Sequence, residues 1–329
     1  MADVAVVGAT GAVGREFLDI LAERCFPVDE LRLLATKRSA GQRVVWRERE
    51  FEVRETTRDS FRGADIAFFA GGSDGARFAD AAVSAGAVVI DNSSAFRLRP
   101  DVPLVVPEVN AADIKQHKGI IANPNCSTII MAVAIKPLED AARIRRIVVS
   151  TYQAVSGAGR DGMQELENQL HQWAAGEPSA PGKIFPYQIA FNLIPRIDVF
   201  QEADYTKEEW KMARETQKIF HREDLLVTAT CVRVPVLRSH AESLNLETEG
   251  PLTPEKAKEL LSRAAGVRLV DDIQAERYPM PLETTHEDDV FVGRVRADLT
   301  LRHGLNMWIS GDQLRKGAAL NAVQIAELL

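Results

Sequence analysis

Cysteine is scarce: Cys25, Cys126 and Cys231 are the only three in 329 residues. Three are too few for a disulfide framework and too scattered for a metal-binding spacing, so no metal is expected and each thiol is judged by its own surroundings. Long apolar runs are missing as well. No uninterrupted stretch approaches the roughly 20 residues that cross a bilayer, and residues 1–7 lack a basic segment followed by a long apolar one. A cytoplasmic protein without membrane attachment is expected. There is no basic excess, since 40 basic residues face 47 acidic ones for a net charge of -7. No global field is therefore available to hold nucleic acid. Internal repeats and a coiled-coil period are also absent. What is present is the balance of a globular protein, with 46% hydrophobic and 26% charged residues and a length of about two domains.

Val4, Ala5, Val6 and Val7 form a short apolar run, separated by glycines from Val13, Phe17, Leu18 and Leu21, which recur on one side of a 3.6-residue period. That pattern reads as a strand, a tight turn and a helix. Further strands are expected at 31–34, 66–70, 88–90 and 119–122, with a helix over 74–85 after Gly71-Gly72. Repeated strand and helix signals predict a mostly parallel, doubly wound sheet. A helix over 129–135 should stop at Pro137, which leaves Cys126 beside its N-terminus. Beyond it the pattern is mixed: strands at 144–150, 226–234, 290–295 and 305–309, and a helix carrying Met163, Leu166, Leu170 and Trp173. Thr206 and Glu209 suggest a capping box, Thr253-Pro254 a cap with proline at the first helical position, and 313–329 a closing helix. The main domain transition falls near Cys126.

Gly8-Ala9-Thr10-Gly11-Ala12-Val13-Gly14 has the spacing of a dinucleotide-binding turn and lies between a strand and a helix. Gly8 suits the tight turn, Gly11 close approach of backbone to pyrophosphate, and Gly14 packing of helix on sheet. After the second strand an acidic residue would favour NAD. Thr36-Lys37-Arg38-Ser39 stands there instead, with cations and hydroxyls that suit the 2′-phosphate of NADP.

Cys126 is the candidate nucleophile, because unsatisfied amides at a helix N-terminus lower a thiol's pKa. Cys25 and Cys231 are expected to be structural. Gln153, in Gln153-Ala154-Val155-Ser156-Gly157-Ala158-Gly159, lies between a strand and a helix and is placed to orient a reacting carbonyl. His240, following Arg233-Val234-Pro235-Val236-Leu237-Arg238-Ser239, suits proton transfer near neutral pH.

Taken in order, these segments resemble the bacterial aspartate-semialdehyde dehydrogenase family over essentially the whole chain. The resemblance is carried by the glycine turn, Asp91-Asn92-Ser93-Ser94-Ala95-Phe96-Arg97, Asn123-Pro124-Asn125-Cys126-Ser127-Thr128, the Gln153 loop, Arg233 with His240, and Leu314-Arg315-Lys316-Gly317-Ala318-Ala319. It implies an α/β fold: a Rossmann-like NADP-binding domain, residues 1–126 and about 312–329, and a mixed α+β catalytic and dimerisation domain, about 127–311. It implies Cys126 as nucleophile, His240 as acid/base and Gln153 as orienting residue. Arg97 and Lys211 would hold the substrate phosphate, Arg233 its α-carboxylate and Glu208 its ammonium, with Asn125 also at the substrate. Ser156, Gly157 and Gln324 would join Gly8, Thr10, Gly11, Ala12, Val13, Gly14, Thr36, Lys37, Arg38 and Ser39 around NADP.

The implied reaction is reductive dephosphorylation of L-aspartyl-4-phosphate by NADPH to L-aspartate 4-semialdehyde and phosphate, through a cysteine thioester. A homodimer is implied, as is a place in lysine, threonine, methionine and diaminopimelate biosynthesis. Two other readings stay open at this point: an acyl-phosphate reductase similar to N-acetyl-glutamyl-phosphate reductase, and a noncatalytic nucleotide-responsive protein. One position departs from the family pattern, since Asp312-Gln313-Leu314 stands where the family favours Asp-Asn-Leu. Gln313 keeps the amide on a longer side chain, which questions local geometry more than reaction class.

Overall fold

The computed structural model describes residues 1–70, 72–178 and 182–329. Gly71, half of the Gly71-Gly72 signal, lies outside them. The chain divides into two units, Met1–Asn125 with Gly317–Leu329, and Cys126–Lys316.

The first unit opens with β1 (Ala2–Val7), whose last four residues are buried on both faces, as the unbroken apolar run demands. The glycine turn feeds α1 (Ala12–Glu23), which buries Phe17, Leu18, Ile20 and Leu21 along one side. Next come β2 (Val28–Ala35), the antiparallel hairpin β3 (Arg43–Trp46) and β4 (Arg49–Glu52), β5 (Arg54–Glu55) and β6 (Ile66–Phe69). The expected helix over 74–85 is two pieces, α2 (Ser73–Ala76) and α3 (Ala79–Ser84). Gly72 and Gly75 at its start have poor helix propensity, and Phe78 acts as the N-cap of the second piece, its carbonyl accepting from the amides of Ala81 and Ala82. After β7 (Val88–Asp91) come α4 (Pro107–Asn110) and β8 (Ile120–Ala122). The six strands β5-β2-β1-β6-β7-β8 form one sheet, parallel at every pairing. A terminal helix, Leu320–Ala326, adds Leu320, Ala322, Val323 and Ile325 to the core that also holds Phe17 and Phe68.

The second unit starts at α5 (Cys126–Ala142), with Cys126 as its first residue. Pro137 lies inside this helix and does not end it. An interior proline costs about 3 kcal/mol. Here burial of Ile129 through Ile135 and of Leu138 offsets it, and Glu139, beyond the proline, ties the last turn down by accepting from Ile144 N at 2.6 Å and from Arg222.

The remaining elements are β9 (Ile144–Gln153), α6 (Gly159–Ala174), α7 (Lys207–Ile219), β10 (Leu226–Arg233), β11 (His240–Thr248), α8 (Pro254–Leu261), β12 (Val267–Leu269), α9 (Pro281–Thr284), β13 (Val290–Ala297) and β14 (Gly304–Gly311). Both predicted caps are present: Thr206 and Glu209 form a capping box, and Thr253 Oγ1 accepts from Lys256 N. The strands make a mixed sheet, β10-β9-β11-β14-β13-β12, with β10/β9 and β12/β13 parallel and the rest antiparallel. One face of it packs on α5. The closing helix expected over about 313–329 begins as a π-helical segment, Arg315–Ala319, and runs directly on into the terminal α-helix. Asp312 opens that segment as a cap, its Oδ1 accepting from Leu314 N and Arg315 N.

The fold is thus a mixed α/β one, with a parallel Rossmann-like sheet in one unit and a separate mixed sheet in the other. Among the described residues no helix is long and apolar enough to cross a membrane, and no cluster of His, Cys, Asp and Glu could hold a metal ion.

Candidate active site

Cys126, Gln153, Ser156, Gly157, Glu208, Lys211, Arg233 and His240 all belong to the second unit. Strand register brings several of them together. Gln153 and Arg233, the last residues of the parallel strands β9 and β10, are directly paired. His240 opens β11, which runs antiparallel to β9.

Cys126 is half-buried at the start of α5, where the amides of the first helical turn favour negative charge. Ser127 follows it, and its Oγ accepts from Gln153 Nε2 at 2.7 Å. The same nitrogen donates to Glu208 Oε1 at 3.3 Å. Lys211 Nζ donates to Glu208 Oε2 at 2.8 Å and pairs with Asp198 at 3.3 Å. Glu208 and Lys211, three residues apart on α7, therefore face one way.

Glu209 fixes where α7 sits. One of its oxygens closes the capping box on Thr206 N at 2.7 Å, and the other accepts from Cys231 N on β10 at 3.0 Å. Arg233 is buried, and its Nη1 donates to Ala154 O at 2.7 Å while the Phe185 ring lies 5.9 Å from its guanidinium carbon. Burial pushes its pKa down, and Glu208 and Cys126 nearby push it back up.

His240 is entirely buried. Its Nδ1 accepts from Ala154 N at 3.1 Å, and Nε2 has no hydrogen-bond partner among the described residues. Burial first, and the Arg233 charge second, lower its pKa to about 3, with Glu208 opposing. Gly157 makes room for this group: a Cβ there would stand 2.7 Å from Arg233 Nη1 and 3.3 Å from His240 Nε2.

Gln313 has a definite task in this unit. Its Oε1 accepts from Ser239 N at 2.8 Å, and its Nε2 donates to the Ser156 hydroxyl. Ser239, buried and at φ +72°, is a strained residue directly ahead of His240. The longer amide thus joins the segment leading into His240 to the Gln153 loop.

Cys231 is buried, and desolvation pushes its thiol far above the ordinary range, which leaves it inert. Cys25 is exposed, just past the end of α1. Some residues of this site escaped the motif reading. Ser127 and Glu209 act through neighbours, and Glu242 is a wholly buried acid on β11 whose two oxygens lack partners among the described residues. The signal for Glu242 was present in alternation: His240, Glu242, Leu244 and Leu246 share one face of a strand.

The other predicted residues lie in the first unit. Gly8 has φ +84°, and a Cβ on Gly14 would come within 2.2 Å of Gly8 O and 2.7 Å of Ala9 Cα. Helix and strand meet there only because Gly14 lacks a side chain, while Gly8 takes the left-handed conformation of the turn, and the α1 start has no side-chain cap to compete with a pyrophosphate. Thr10, Gly11, Ala12 and Val13 lie along that turn, and no side chain caps α1. Thr36 precedes a short turn of Lys37, Arg38 and Ser39 at the end of β2. Lys37 and Arg38 are exposed and form no ion pair among the described residues. This surface fits a dinucleotide. Arg97 is buried, with Nε donating to Asn123 O at 2.9 Å and Nη2 to Asn92 O at 2.7 Å. Asn125 is buried, and Gln324 Nε2 donates to Glu108 at 3.4 Å.

Residues 3–117 match the model of the semialdehyde dehydrogenase NAD binding domain, and residues 135–316 that of the semialdehyde dehydrogenase dimerisation domain. The aspartate-semialdehyde dehydrogenase of Aquifex aeolicus is 55% identical over 99% of this chain and 97% of its own. The chain belongs to the aspartate-semialdehyde dehydrogenase family. As a member it is an oxidoreductase with a nucleotide-binding domain. Aspartate semialdehyde dehydrogenase II of Vibrio cholerae, solved complexed with ASA, superposes with a TM-score of 0.97 at 47% identity, covering 100% of this chain and 98% of that one. The Candida albicans enzyme of the family, solved with NADP, gives 0.76 at 27% identity over 100% and 98%.

Proposed function

We propose that this protein catalyses the NADPH-dependent, reversible reductive dephosphorylation of L-aspartyl-4-phosphate to L-aspartate 4-semialdehyde and phosphate, through a thioester on Cys126. The observation that carries this reading is the grouping of a buried guanidinium, Arg233, and a buried carboxylate, Glu208, with a half-buried thiol at a helix start. A substrate with a carboxylate and an ammonium on one carbon meets opposite charges there. An acetylated amine would bring Glu208 no charge beyond that of Lys211, which weighs against the acetylated homologue.

Cys126 sulfur attacks the acyl-phosphate carbonyl, the carbon–oxygen bond to phosphate breaks, and phosphate departs with the electron pair. Arg97 and Lys211 are the cations assigned to that phosphate, with Asn125 beside the substrate. Arg233 holds the α-carboxylate, Glu208 the ammonium, and Gln153 keeps Glu208 in place. His240 is the acid/base residue of this reading and moves the proton at the carbonyl oxygen.

NADP would be held by residues 8–14 of the glycine turn, Thr36, Lys37, Arg38 and Ser39, with Ser156, Gly157 and Gln324 completing the cofactor set. When bound it supplies the hydride. The cations of Lys37 and Arg38, without ion pairs among the described residues, support NADP over NAD, as does the NADP complex of the Candida albicans relative. The unit formed by residues 1–125 and 317–329 is the cofactor domain in this reading, and residues 126–316 carry catalysis and pair two copies into a cytoplasmic homodimer.

The test is a rise in NADPH absorbance when purified protein receives L-aspartate 4-semialdehyde and NADP+. Dependence of that rise on inorganic phosphate is expected. Folded protein that gives no signal across pH overturns the reading.

A further inference from the structure

We propose that residues 182–194 form a strap, tied to α6 by Glu165 and Gln169, that fixes the Arg233 guanidinium in place and so sets how strongly the site selects a substrate carboxylate. Glu165 and Gln169 are then positioning residues that act through Phe185 and Arg233. This deepens the reading of Arg233 as the carboxylate contact and rests on it.

The ties come from one face of one helix. Glu165 and Gln169 are four residues apart on α6 and point the same way. Glu165 Oε2 accepts from Lys183 N at 2.8 Å and Ile184 N at 2.7 Å, and its Oε1 from Phe185 N at 3.3 Å. Gln169 Oε1 accepts from Ile189 N at 3.0 Å and Ala190 N at 2.9 Å. Residues 183–190 belong to no helix or strand, so these two side chains satisfy amides that a ladder would otherwise take. Gly182 belongs to the same device. A Cβ there would collide with Glu165 Oε1, so the carboxylate reaches the amides through room that glycine alone leaves.

Both ends of the strap meet Arg233. Near its start, Phe185 is buried and its ring lies 5.9 Å from the guanidinium carbon, within reach of the attraction between a ring face and a cation. At its end, Ile194 N donates to Arg233 O at 3.0 Å, and Ile194 O accepts from Arg233 N at 2.9 Å. β10 is an edge strand of its sheet, and this bridge covers its open side at the residue that carries the guanidinium. Phe185 in turn rests on α6, since a Cβ on Gly162 would stand 3.2 Å from its Cζ, and it shares an apolar cluster with Leu166 and Ile194. Arg233 is thus held on its face by Phe185, at Nη1 by Ala154 O, and along its backbone by Ile194.

A long cationic side chain that is free to choose among rotamers has to be ordered by its ligand, and the cost is subtracted from binding. The strap removes that cost before the substrate arrives. Once a carboxylate is bound it holds the guanidinium itself, in the ground state and the transition state alike. The benefit of the strap therefore belongs in KM and not in kcat. It also belongs only to substrates with an α-carboxylate, because an aldehyde without one draws nothing from Arg233.

The test compares the full-length enzyme on L-aspartate 4-semialdehyde and on 3-aminopropanal, the same aldehyde without its carboxylate, with NADP+ and phosphate present. Glu165→Gln keeps the shape of the side chain and turns one acceptor into a donor facing an amide. Gly182→Ala expels the carboxylate while Glu165 itself stays. Phe185→Leu leaves both ties and removes the ring face. Each should raise KM for L-aspartate 4-semialdehyde about 3–10-fold, the ordering cost of one long side chain, and lower the kcat/KM preference over 3-aminopropanal by the same factor. The kcat for L-aspartate 4-semialdehyde, KM for phosphate and Kd for NADPH should stay as they were. An unchanged preference, or KM rising alike for both aldehydes, overturns the proposal. The Arg233→Leu background separates the two levels. If Arg233→Leu lowers the preference and Glu165→Gln lowers it again by its full factor there, the ties act elsewhere and the strap proposal fails alone. If Arg233→Leu leaves the preference unchanged, the carboxylate assignment fails and the strap proposal with it.

Discussion

Gln153 spends its amide nitrogen on two partners at once, Ser127 Oγ at 2.7 Å and Glu208 Oε1 at 3.3 Å. A carboxylate can only accept, so the NH2 group and not the carbonyl must face Glu208. The side chain joins the residue after the nucleophile to the carboxylate assigned to the substrate amine. Gln153→Glu sets two acids against each other there. We expect kcat/KM for L-aspartate 4-semialdehyde to fall about 10–100-fold, as for loss of a charge-assisted contact of about 1.5–3 kcal/mol, with Kd for NADPH unchanged. Equal weakening of cofactor binding would argue for a general distortion.

Cys126→Ala is expected to remove turnover and keep NADPH binding, as measured by fluorescence titration. The two properties separate because the glycine turn and the thiol belong to different units of the chain. Turnover near the wild-type rate would reject the thioester.

Arg233→Leu removes the guanidinium assigned to the α-carboxylate. Relative use of 4-semialdehydes with and without that carboxylate should collapse toward unity, a change of about 10²-fold or more for a buried charged contact. Unchanged discrimination would move the carboxylate site elsewhere.

Lys37 and Arg38 have no acidic partner among the described residues, so their removal should cost the fold little. The double change Lys37→Ala with Arg38→Ala should raise KM for NADP at least tenfold, about 1.4 kcal/mol, and leave KM for NAD as it was. Parallel changes for both cofactors would place the 2′-phosphate contact at other residues.

His240 and Glu242 make opposite contributions to acid and alkaline stability. His240 keeps its pKa near 3 when folded, against an ordinary 6.5. The unfolded chain therefore binds one more proton between those values, and stability falls as pH drops below about 6.5. Burial raises the Glu242 carboxyl well above 4.5. The folded chain then holds the extra proton, and stability falls as pH rises above that value. Each slope is about 1.4 kcal/mol per pH unit for one proton. Glu242→Gln should raise Tm by an amount that grows from pH 5 to pH 8. A constant increment across that range would mean that Glu242 is not held protonated.

Much of this architecture was legible in the sequence because the deciding forces are local. Apolar runs marked β1, β6 and β7, and short-range caps marked α7 and α8. The glycine turn was readable because Gly8 and Gly14 answer to steric limits within a few residues. Pro137 misled for the opposite reason: its local penalty is outweighed by the burial of α5 and by Glu139, which reaches Ile144 and Arg222. The candidate site divided in the same way. Cys126, Gln153 and His240 sit in recognisable segments. Ser239, with its left-handed backbone, Gln313, which holds it, and Glu242 derive their meaning from strands and turns distant in sequence. His240 Nδ1 accepts from an amide 86 residues away.

The terminal helix has a consequence for how the chain is made. Leu320, Ala322, Val323 and Ile325 belong to the same core as β1 and α1, yet the whole of Cys126–Lys316 is synthesised between them. The continuous unit can close on itself while the earlier strands still wait for their last apolar neighbours. Strands β1 to β8, made before Cys126–Lys316, are then completed only after it, and throughout that interval their unfinished core offers apolar surface to chaperones and proteases.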